Sequence, residues 1–130
     1  MIIGEYRHSL DSKNRISLPS KFRKELGSKV IVTSGLNGCL FVFSLKSWEK
    51  FSNDLSKLSL VEGDKRKFTR FILGGATDQE VDSAGRILIP DLLKDFANLK
   101  NKAVVVGVHS RAEIWSEKAW DEYKKNVEKD

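Results

Sequence analysis

Hydrophobic and polar residues follow two kinds of periodic pattern along this chain, and the patterns come in the same order in both halves. Short β-branched or aromatic runs predict strands, whereas apolar residues three and four positions apart predict helices. The clearest helical sets are Trp48, Phe51, Leu55 and Leu58; Phe68, Phe71 and Ile72; and Trp120, Tyr123 and Val127. Each half is therefore predicted to form a hairpin, a short helix, a second hairpin and a longer helix.

The first hairpin of each half is predicted around a polar turn. In the first half, residues 4–10 and 15–18 predict two strands, and residues 11–14 predict the turn between them. Asn14 tolerates the left-handed backbone conformation that such a turn needs, and Gly85 stands at the matching place in the second half. The same turn geometry is therefore specified by two different residues.

Proline and serine residues mark where the predicted helices begin. Pro19 and Pro90 follow the first hairpins, and proline suits the first position of a helix because its missing N–H is not needed there. Ser44 and Ser116 precede the longer helices and are good N-caps. The apolar faces expected of the short helices are Phe22 and Leu26 in the first half and Leu92, Leu93 and Phe96 in the second. Residues 62–73 have no counterpart in the other half and predict an extra linking helix.

A sequence repeat underlies this symmetry. The segment LDSKNRISLP at residues 10–19 returns 71 positions later as VDSAGRILIP, with Asp, Ser, Arg, Ile and Pro in register. A unit of about 50 residues buries too little of its surface to be stable alone, so the two copies are expected to share a core. We therefore predict a single α+β domain over residues 1–130, made of a first copy (1–53), a linking helical segment (54–77) and a second copy (78–130).

Composition narrows the class of protein. A chain of 130 residues with 40% apolar content is typical of one globular domain. No apolar run approaches the roughly 18 residues of a membrane span, and the first residues lack a signal-peptide pattern, so a cytoplasmic protein is expected. Cys39 is the only cysteine, which excludes an internal disulfide and favours a buried apolar role.

The charge is unevenly distributed between the halves. The net charge is +5, but residues 1–70 carry 14 Lys and Arg against 7 Asp and Glu, a balance of +7, whereas residues 71–130 carry 9 against 11, a balance of −2. A basic half is typical of polyanion binding, although lysine-rich solvated surfaces are also common. We expect any contact with a polyanion to centre on the first copy.

The candidate chemistry lies in the repeated turn. Lys13, Asn14 and Arg15 form the end of the first turn, and an arginine can bind guanine or clamp a phosphate through two parallel hydrogen bonds. In the second copy, Ala84 and Gly85 replace the lysine and the asparagine. The first copy is therefore expected to supply most base contacts, whereas Arg86 is expected to hold a phosphate or the structure.

A structural interpretation of the same residues stands beside the functional one. Each aspartate could cap its own turn, and each arginine could pair with a carboxylate. We favour the structural role for Asp11 and Asp82, because a carboxylate facing DNA would be repelled. For Arg15 we favour DNA contact, and for Arg86 both interpretations stay open.

The duplicated Asp-x-x-x-Arg followed by apolar-x-apolar-Pro resembles the MraZ family, within the larger group of swapped-hairpin transcription factors that includes AbrB. The resemblance spans nearly the whole chain and also involves residues 4–6, 35–40, 74–76 and 114–115. It implies a pseudo-symmetric, duplicated swapped-hairpin β-barrel with short flanking helices. The family commonly has glycine in the first turn, where this chain has Asn14.

The resemblance also implies a function. It implies a cytoplasmic, nucleoid-associated regulator that binds double-stranded promoter DNA of the division and cell-wall gene cluster, including its own promoter. It further implies a homo-oligomer, in the form of a ring, with no cofactor, metal, membrane partner or small-molecule substrate. The DNA-reading turn would be residues 11–15, with residues 82–86 as its pseudo-symmetric partner. Head-to-tail assembly of a chain that already contains two copies would favour direct repeats in the DNA.

Two other classes of function were weighed against DNA binding. Two histidines, no metal-ligand spacing and no glycine-rich phosphate loop argue against an enzyme, and no catalytic residue is predicted. An antitoxin-like or scaffold interaction module without DNA specificity is the main alternative. A mobility shift with promoter DNA would separate this alternative from a regulator.

Overall fold

The fold is mixed α+β, with the elements of the two copies in the same order. The computed structural model describes residues 1–58 and 60–129. In chain order the elements of this part of the chain are β1 (Ile2–Ser9), β2 (Arg15–Ser17), α1 (Ser20–Leu26), β3 (Lys29–Ser34), β4 (Leu40–Ser44), α2 (Leu45–Ser56), α3 (Gly63–Gly74), β5 (Thr77–Glu80), β6 (Arg86–Leu88), α4 (Asp91–Phe96), β7 (Lys102–His109), β8 (Ala112–Ser116) and α5 (Glu117–Lys129). No helix within these residues is long and apolar enough to cross a membrane.

Both sheets contain strands of both copies. Six strands form one antiparallel sheet in the order β1-β7-β8-β4-β3-β5, and β2 pairs with β6 in a separate two-stranded sheet. The first strand of the first copy, β1, lies on β7 of the second copy, and β5 of the second copy lies on β3 of the first. The hairpin predicted around each polar turn is therefore wrong: among the described residues β1 does not pair with β2, nor β5 with β6, because β2 and β6 pair with each other. The described pairings leave β1 and β5 at the edges of the large sheet, so closure into a barrel stays a prediction.

The main core lies between the copies. Ile16 of β2 is paired directly with Ile87 of β6, and both side chains are fully buried. Phe22 of α1 and Leu93 of α4 belong to the same buried cluster. Because the cluster contains residues of both copies, neither half has this core by itself.

A second core contains the aromatic residues that the helical spacing singled out. Phe43 of β4 stacks on Phe51 of α2 with ring centroids 4.8 Å apart, and Trp115 of β8 lies 4.9 Å from Tyr123 of α5. Trp48, Phe51 and Trp120 of the longer helices are partly buried against this cluster, as their spacing predicts. The rest of the predicted α5 face is wrong, because Tyr123 is 39% exposed and Val127 is 54% exposed. Cys39 is buried in the same cluster, and burial raises the pKa of its thiol to about 12. Its apolar role is confirmed.

Serine side chains cap both longer helices. The Ser47 N–H donates to Oγ of Ser44 at 3.1 Å, and the Ala119 N–H donates to Oγ of Ser116 at 3.1 Å. Each bond satisfies one of the N–H groups that a helix leaves unpaired at its start. Both predicted N-caps are confirmed.

The linking segment forms the predicted helix, α3, and its end is attached to the sheet. Ile72 is fully buried, and Oγ1 of Thr33 on β3 donates to its carbonyl at 2.6 Å. The neighbouring Ser34 hydroxyl donates to the carbonyl of Phe71 at 3.4 Å. The Thr33 bond satisfies a carbonyl in the last turn of the helix, and the Ser34 hydroxyl adds a second donor to the Phe71 carbonyl, which also accepts the N–H of Gly75.

The starts of the short helices lie one residue later than predicted. Pro19 and Pro90 are N-caps with φ of −54° and −59°, and the helices begin at Ser20 and Asp91. At the N-cap, an N–H group would have no partner within the helix, so proline loses no hydrogen bond there. This explains why proline is tolerated at this position.

The predicted apolar face of α4 is wrong in two positions. Leu92 is 85% exposed and Phe96 is 39% exposed, whereas Leu93 and Ala97 are buried. Positions four apart lie on the same face of a helix, so burial of Leu93 takes Ala97 inward with it. Leu92 and Phe96 are themselves four apart, and they form an exposed face.

The contact between β1 and β7 depends on a residue without a side chain. Gly107 is paired with Gly4, and a Cβ atom at Gly107 would lie 2.5 Å from the backbone nitrogen of Ile3. We expect Gly107→Ala to lower the free energy of unfolding by about 1 to 3 kcal/mol, because the strands must separate to admit the methyl group. Urea unfolding followed by circular dichroism measures this change.

The matched control for this prediction is Gly74→Ala. A Cβ atom there meets nothing within 4 Å, so its effect should stay within about 1 kcal/mol of the parent. Equal destabilisation by the two substitutions would contradict the close approach of β1 and β7.

Candidate nucleic-acid interface

The first turn is organised by the Asp11 side chain. Its Oδ1 accepts hydrogen bonds from the N–H groups of Lys13 and Arg15, both at 2.9 Å. The Asn14 N–H donates to the carbonyl of Asp11 at 3.0 Å, and Asn14 has a φ of 60°. The carboxylate therefore stabilises the backbone of the turn by accepting hydrogen bonds from it.

The second turn has the same geometry with different residues. Oδ1 of Asp82 accepts from the N–H groups of Ala84 at 3.0 Å and of Arg86 at 2.8 Å. Gly85 occupies the left-handed position with a φ of 80°. The two turns are therefore equivalent in their backbone, and they differ in the side chains that they present.

The four charged residues of the two motifs meet in one cluster, which we call the Asp–Arg quartet: Asp11, Arg15, Asp82 and Arg86. Each arginine donates from Nε to the aspartate of its own turn, at 2.8 Å in the first copy and 3.1 Å in the second. Each also approaches the aspartate of the other turn through Nη1, at 3.8 Å from Arg15 and 3.6 Å from Arg86. With two positive and two negative groups, the quartet has no net charge.

The quartet follows from backbone contacts between the copies. The pairing of β2 with β6 brings the ends of both turns together. The Leu18 N–H donates to the carbonyl of Gly85 at 2.9 Å, and the Ile89 N–H donates to the carbonyl of Asn14 at 2.8 Å. Each turn is therefore attached to the strand of the other copy, which fixes the distance between the two turns.

Donors remain in the cluster for a further partner. The quartet side chains are 30 to 34% exposed. Across residues 1–58 and 60–129, no hydrogen bond is found from Nη2 of Arg15 or from Nη2 of Arg86. Lys13 is exposed beside them, and the Asn14 amide donates to Oδ1 of Asp91 at 3.4 Å. The site can therefore offer guanidinium and ammonium groups to an anionic ligand.

The structure adds a residue that sequence reasoning missed. Arg23 of α1 lies against Gly85 in the second turn, although the two are far apart along the chain. Its local pattern is that of an ordinary polar position on a short helix, so no sequence signal marks it. Among the described residues, no cluster of three or more His, Cys, Asp or Glu side chains could hold a metal ion.

The aspartates of the quartet have shifted acidities. Hydrogen bonds from the backbone N–H of Arg15 are the main cause that lowers the pKa of Asp11, and those from Arg86 lower the pKa of Asp82. A carboxyl whose pKa is lower in the folded state contributes stability above its unfolded pKa, near 3.9. That contribution is lost as the pH falls through the folded pKa.

The fold and the two interlocked turns define a class: duplicated α+β proteins with one Asp-x-x-x-Arg turn in each repeat. The family described as "MraZ protein, putative antitoxin-like" matches residues 1–71 and again residues 72–130. The chain therefore belongs to the MraZ family, as its motifs indicate.

Individual relatives agree with this assignment, and each of the following is named transcriptional regulator MraZ. The protein of Caldanaerobacter subterraneus subsp. tengcongensis is 47% identical over 128 residues, which cover 98% of this chain and 90% of the relative. That of Caldicellulosiruptor saccharolyticus is 52% identical over 120 residues, covering 92% and 84%. That of Alkaliphilus metalliredigens is 50% identical over 123 residues, covering 95% and 86%.

The lowered pKa values of the quartet aspartates predict that the stability contribution of the quartet depends on pH. Asp82→Asn should lower the melting temperature at pH 7, because the amide cannot replace the charged contacts with Arg86. The difference from the parent should begin to shrink below about pH 4, the pKa of the unfolded carboxyl, and should vanish as the pH falls through the lower pKa of Asp82 in the folded parent. Thermal unfolding between pH 2.5 and 7 measures this difference.

Asp54→Asn is the control, since it removes an exposed carboxylate of α2 that lies outside the quartet. Its effect on the melting temperature at pH 7 should be smaller than that of Asp82→Asn. A difference for Asp82→Asn that is the same at every pH would contradict the role of the quartet.

Proposed function

We propose that this protein is a sequence-specific, DNA-binding transcriptional regulator that contacts DNA with its two turns. The observation that carries the proposal is the pair of turns, held next to each other by the quartet, with arginine Nη2 donors and the exposed Lys13 available to a ligand. The names of the relatives as transcriptional regulators support the same function.

The two turns have different tasks in this proposal. Lys13, Asn14 and Arg15 of the first copy contact bases, because a guanidinium fork matches the acceptors O6 and N7 of guanine. Arg86 holds a phosphate or the second turn itself, since Ala84 and Gly85 supply no polar side chain beside it. The excess of basic residues in positions 1–70 supports this division.

The wider role of the protein is proposed from the family. Its targets are the division and cell-wall gene cluster and its own promoter, and it acts in the cytoplasm in association with the nucleoid, without cofactor or catalysis. We also keep the family's swapped-hairpin β-barrel as the expected form of the fold. The exchange of β1 and β5 between the copies supports this form.

Assembly into a ring of several molecules completes the proposal. Phe71, Leu92 and Phe96 form an exposed apolar patch, in which the rings of Phe71 and Phe96 are 5.3 Å apart. Leu92 is 85% exposed, which is unfavourable for a large apolar side chain on an isolated molecule. We propose that a second molecule of the chain covers this patch, head-to-tail, so that successive first turns meet direct repeats in the promoter.

The two arginines of the quartet allow a matched test of DNA contact. Arg15→Ala should weaken binding to promoter DNA by roughly 10- to 100-fold, because a base contact of this kind contributes about 1 to 3 kcal/mol. Arg86→Ala should weaken binding less, although it removes the same contacts within the quartet. Lys13→Ala should weaken binding and reduce the salt dependence, because it removes a positive charge from the turn that contacts DNA.

Fluorescence anisotropy at several salt concentrations measures these effects, with melting temperatures as the control for folding. A larger loss for Arg86→Ala than for Arg15→Ala would reverse the assignment of the two turns. A parent protein that binds no promoter DNA at low salt would favour the antitoxin-like or scaffold alternative.

Assembly and DNA spacing can be tested together. Leu92→Glu should reduce the particle size in light scattering and abolish cooperative binding to an array of direct repeats, while weak binding to one repeat remains. In the parent protein, changing the repeat spacing by half a helical turn should have the same effect on cooperativity, since repeats about one turn apart face the same side of the duplex.

The control is Val127→Glu, which places the same charge at an exposed apolar position of α5. It should leave particle size and cooperativity unchanged. Loss of assembly only in Val127→Glu would place the interface elsewhere, and a parent that binds one repeat as tightly as the array would contradict the ring.

A further inference from the structure

The second turn is covered by a guanidinium group from the other copy. A Cβ atom at Gly85 would overlap with Nη1 of Arg23, and it would lie 2.5 Å from Cζ and 2.8 Å from Cδ of the same side chain. Gly85 is buried although its neighbours Ser83 and Ala84 are exposed. Arg23 therefore occupies the space that any side chain at position 85 would need.

Arg23 differs from the arginines of the quartet in its electrostatic surroundings. Its Nε is buried and has no hydrogen-bond partner, and no ion pair with a carboxylate is found for it within the described part of the chain. Arg15 and Arg86 each have a carboxylate partner of their own turn. Within the described part of the chain, Arg23 thus has no carboxylate partner of its own, and it lies beside a quartet whose net charge is zero.

The corresponding place at the first turn is built differently. The 71-residue repeat relates Arg23 to Lys94 and Gly85 to Asn14. There the asparagine side chain fills the position and donates to Asp91 at 3.4 Å. The first turn carries its own cation, Lys13, whereas the second turn has Ala84 at that place. A cation is therefore present beside each turn, but at the second turn it comes from α1 of the other copy.

We propose that Arg23 binds a backbone phosphate of DNA beside the second turn. Because Nε is buried, only the two terminal nitrogens of Arg23 can reach a ligand. The side chain also covers the second turn instead of extending from it. It can therefore reach a phosphate at the rim of a groove more easily than a base edge within the groove. Contacts of this kind fix the position of a protein on the duplex without reading its sequence. The inference rests on the proposed function, and it assigns the second turn a positioning role.

The test compares Arg23→Ala and Arg23→Lys with the pseudo-symmetric control Lys94→Ala. Binding is measured by fluorescence anisotropy at five or more salt concentrations, on a promoter duplex and on a duplex of unrelated sequence. Arg23→Ala should weaken binding about tenfold on both duplexes and lower the slope of log Kd against log salt by about one. Arg23→Lys should keep the slope, because the charge is retained, and Lys94→Ala should change the affinity less than Arg23→Ala.

Gly85→Asn tests the role of Arg23 without replacing Arg23 itself. Asparagine tolerates the left-handed conformation, as Asn14 does in the first turn, but its side chain must displace the guanidinium of Arg23. It should therefore reduce the affinity and the salt slope as Arg23→Ala does, and the double variant should show little further loss. This comparison stays informative if Arg23→Ala lowers stability, which thermal unfolding would reveal.

The outcomes separate this inference from the proposed function. No binding of either duplex by the parent protein would overturn the proposed function and the inference with it. Parent binding with an unchanged salt slope in both Arg23→Ala and Gly85→Asn would overturn the inference alone. A loss confined to the promoter duplex would also overturn it, because that result would show a base contact.

Discussion

The pairing of β2 with β6 is the interaction on which the rest of this structure depends. It places Ile16 against Ile87 at the centre of the main core, where both are fully buried. The same short ladder brings the two Asp-x-x-x-Arg turns together and allows each to bond to the backbone of the other copy. Core packing and the geometry of the candidate site are therefore consequences of one contact between the copies.

The electrostatics of the site follow from that contact. When the turns meet, each arginine lies near two aspartates, and the motif that looks most basic in sequence becomes neutral as a group. Attraction for a polyanion must then depend on cations outside the quartet, such as Lys13, together with the Nη2 donors. The two turns share one backbone geometry but have different side chains around them. One scaffold therefore presents two different surfaces.

Exchange of strands between the copies explains why the duplication is not modular. β1 lies on the second copy and β5 on the first, and the main core contains residues of both copies. Trp48 and Phe51 of α2 and Trp120 of α5 pack against a second core on strands β4 and β8, which are themselves paired. The exposed apolar side chains include the patch of Phe71, Leu92 and Phe96, in which the rings of Phe71 and Phe96 are 5.3 Å apart.

Local chemistry in the sequence determined a large part of this protein. The repeat, the turn residues with positive φ, the serine caps and the aromatic face of α2 could all be predicted, because each depends on residues close together in the chain. The roles of the capping aspartates could be proposed for the same reason. The family, too, could be inferred from the repeated motif.

Only the tertiary structure decided the remaining features, because they depend on contacts between distant segments. Periodicity alone could not show that Leu93 and Ala97, rather than Leu92 and Phe96, face the core, since the inward face of α4 is set by the strands beneath it. Nor could it pair the arginines with aspartates 67 and 75 positions away in sequence, from Arg15 to Asp82 and from Asp11 to Arg86. The contact of Arg23 with Gly85 has the same origin, because packing of the two copies, and no local signal, brings that helix to that turn.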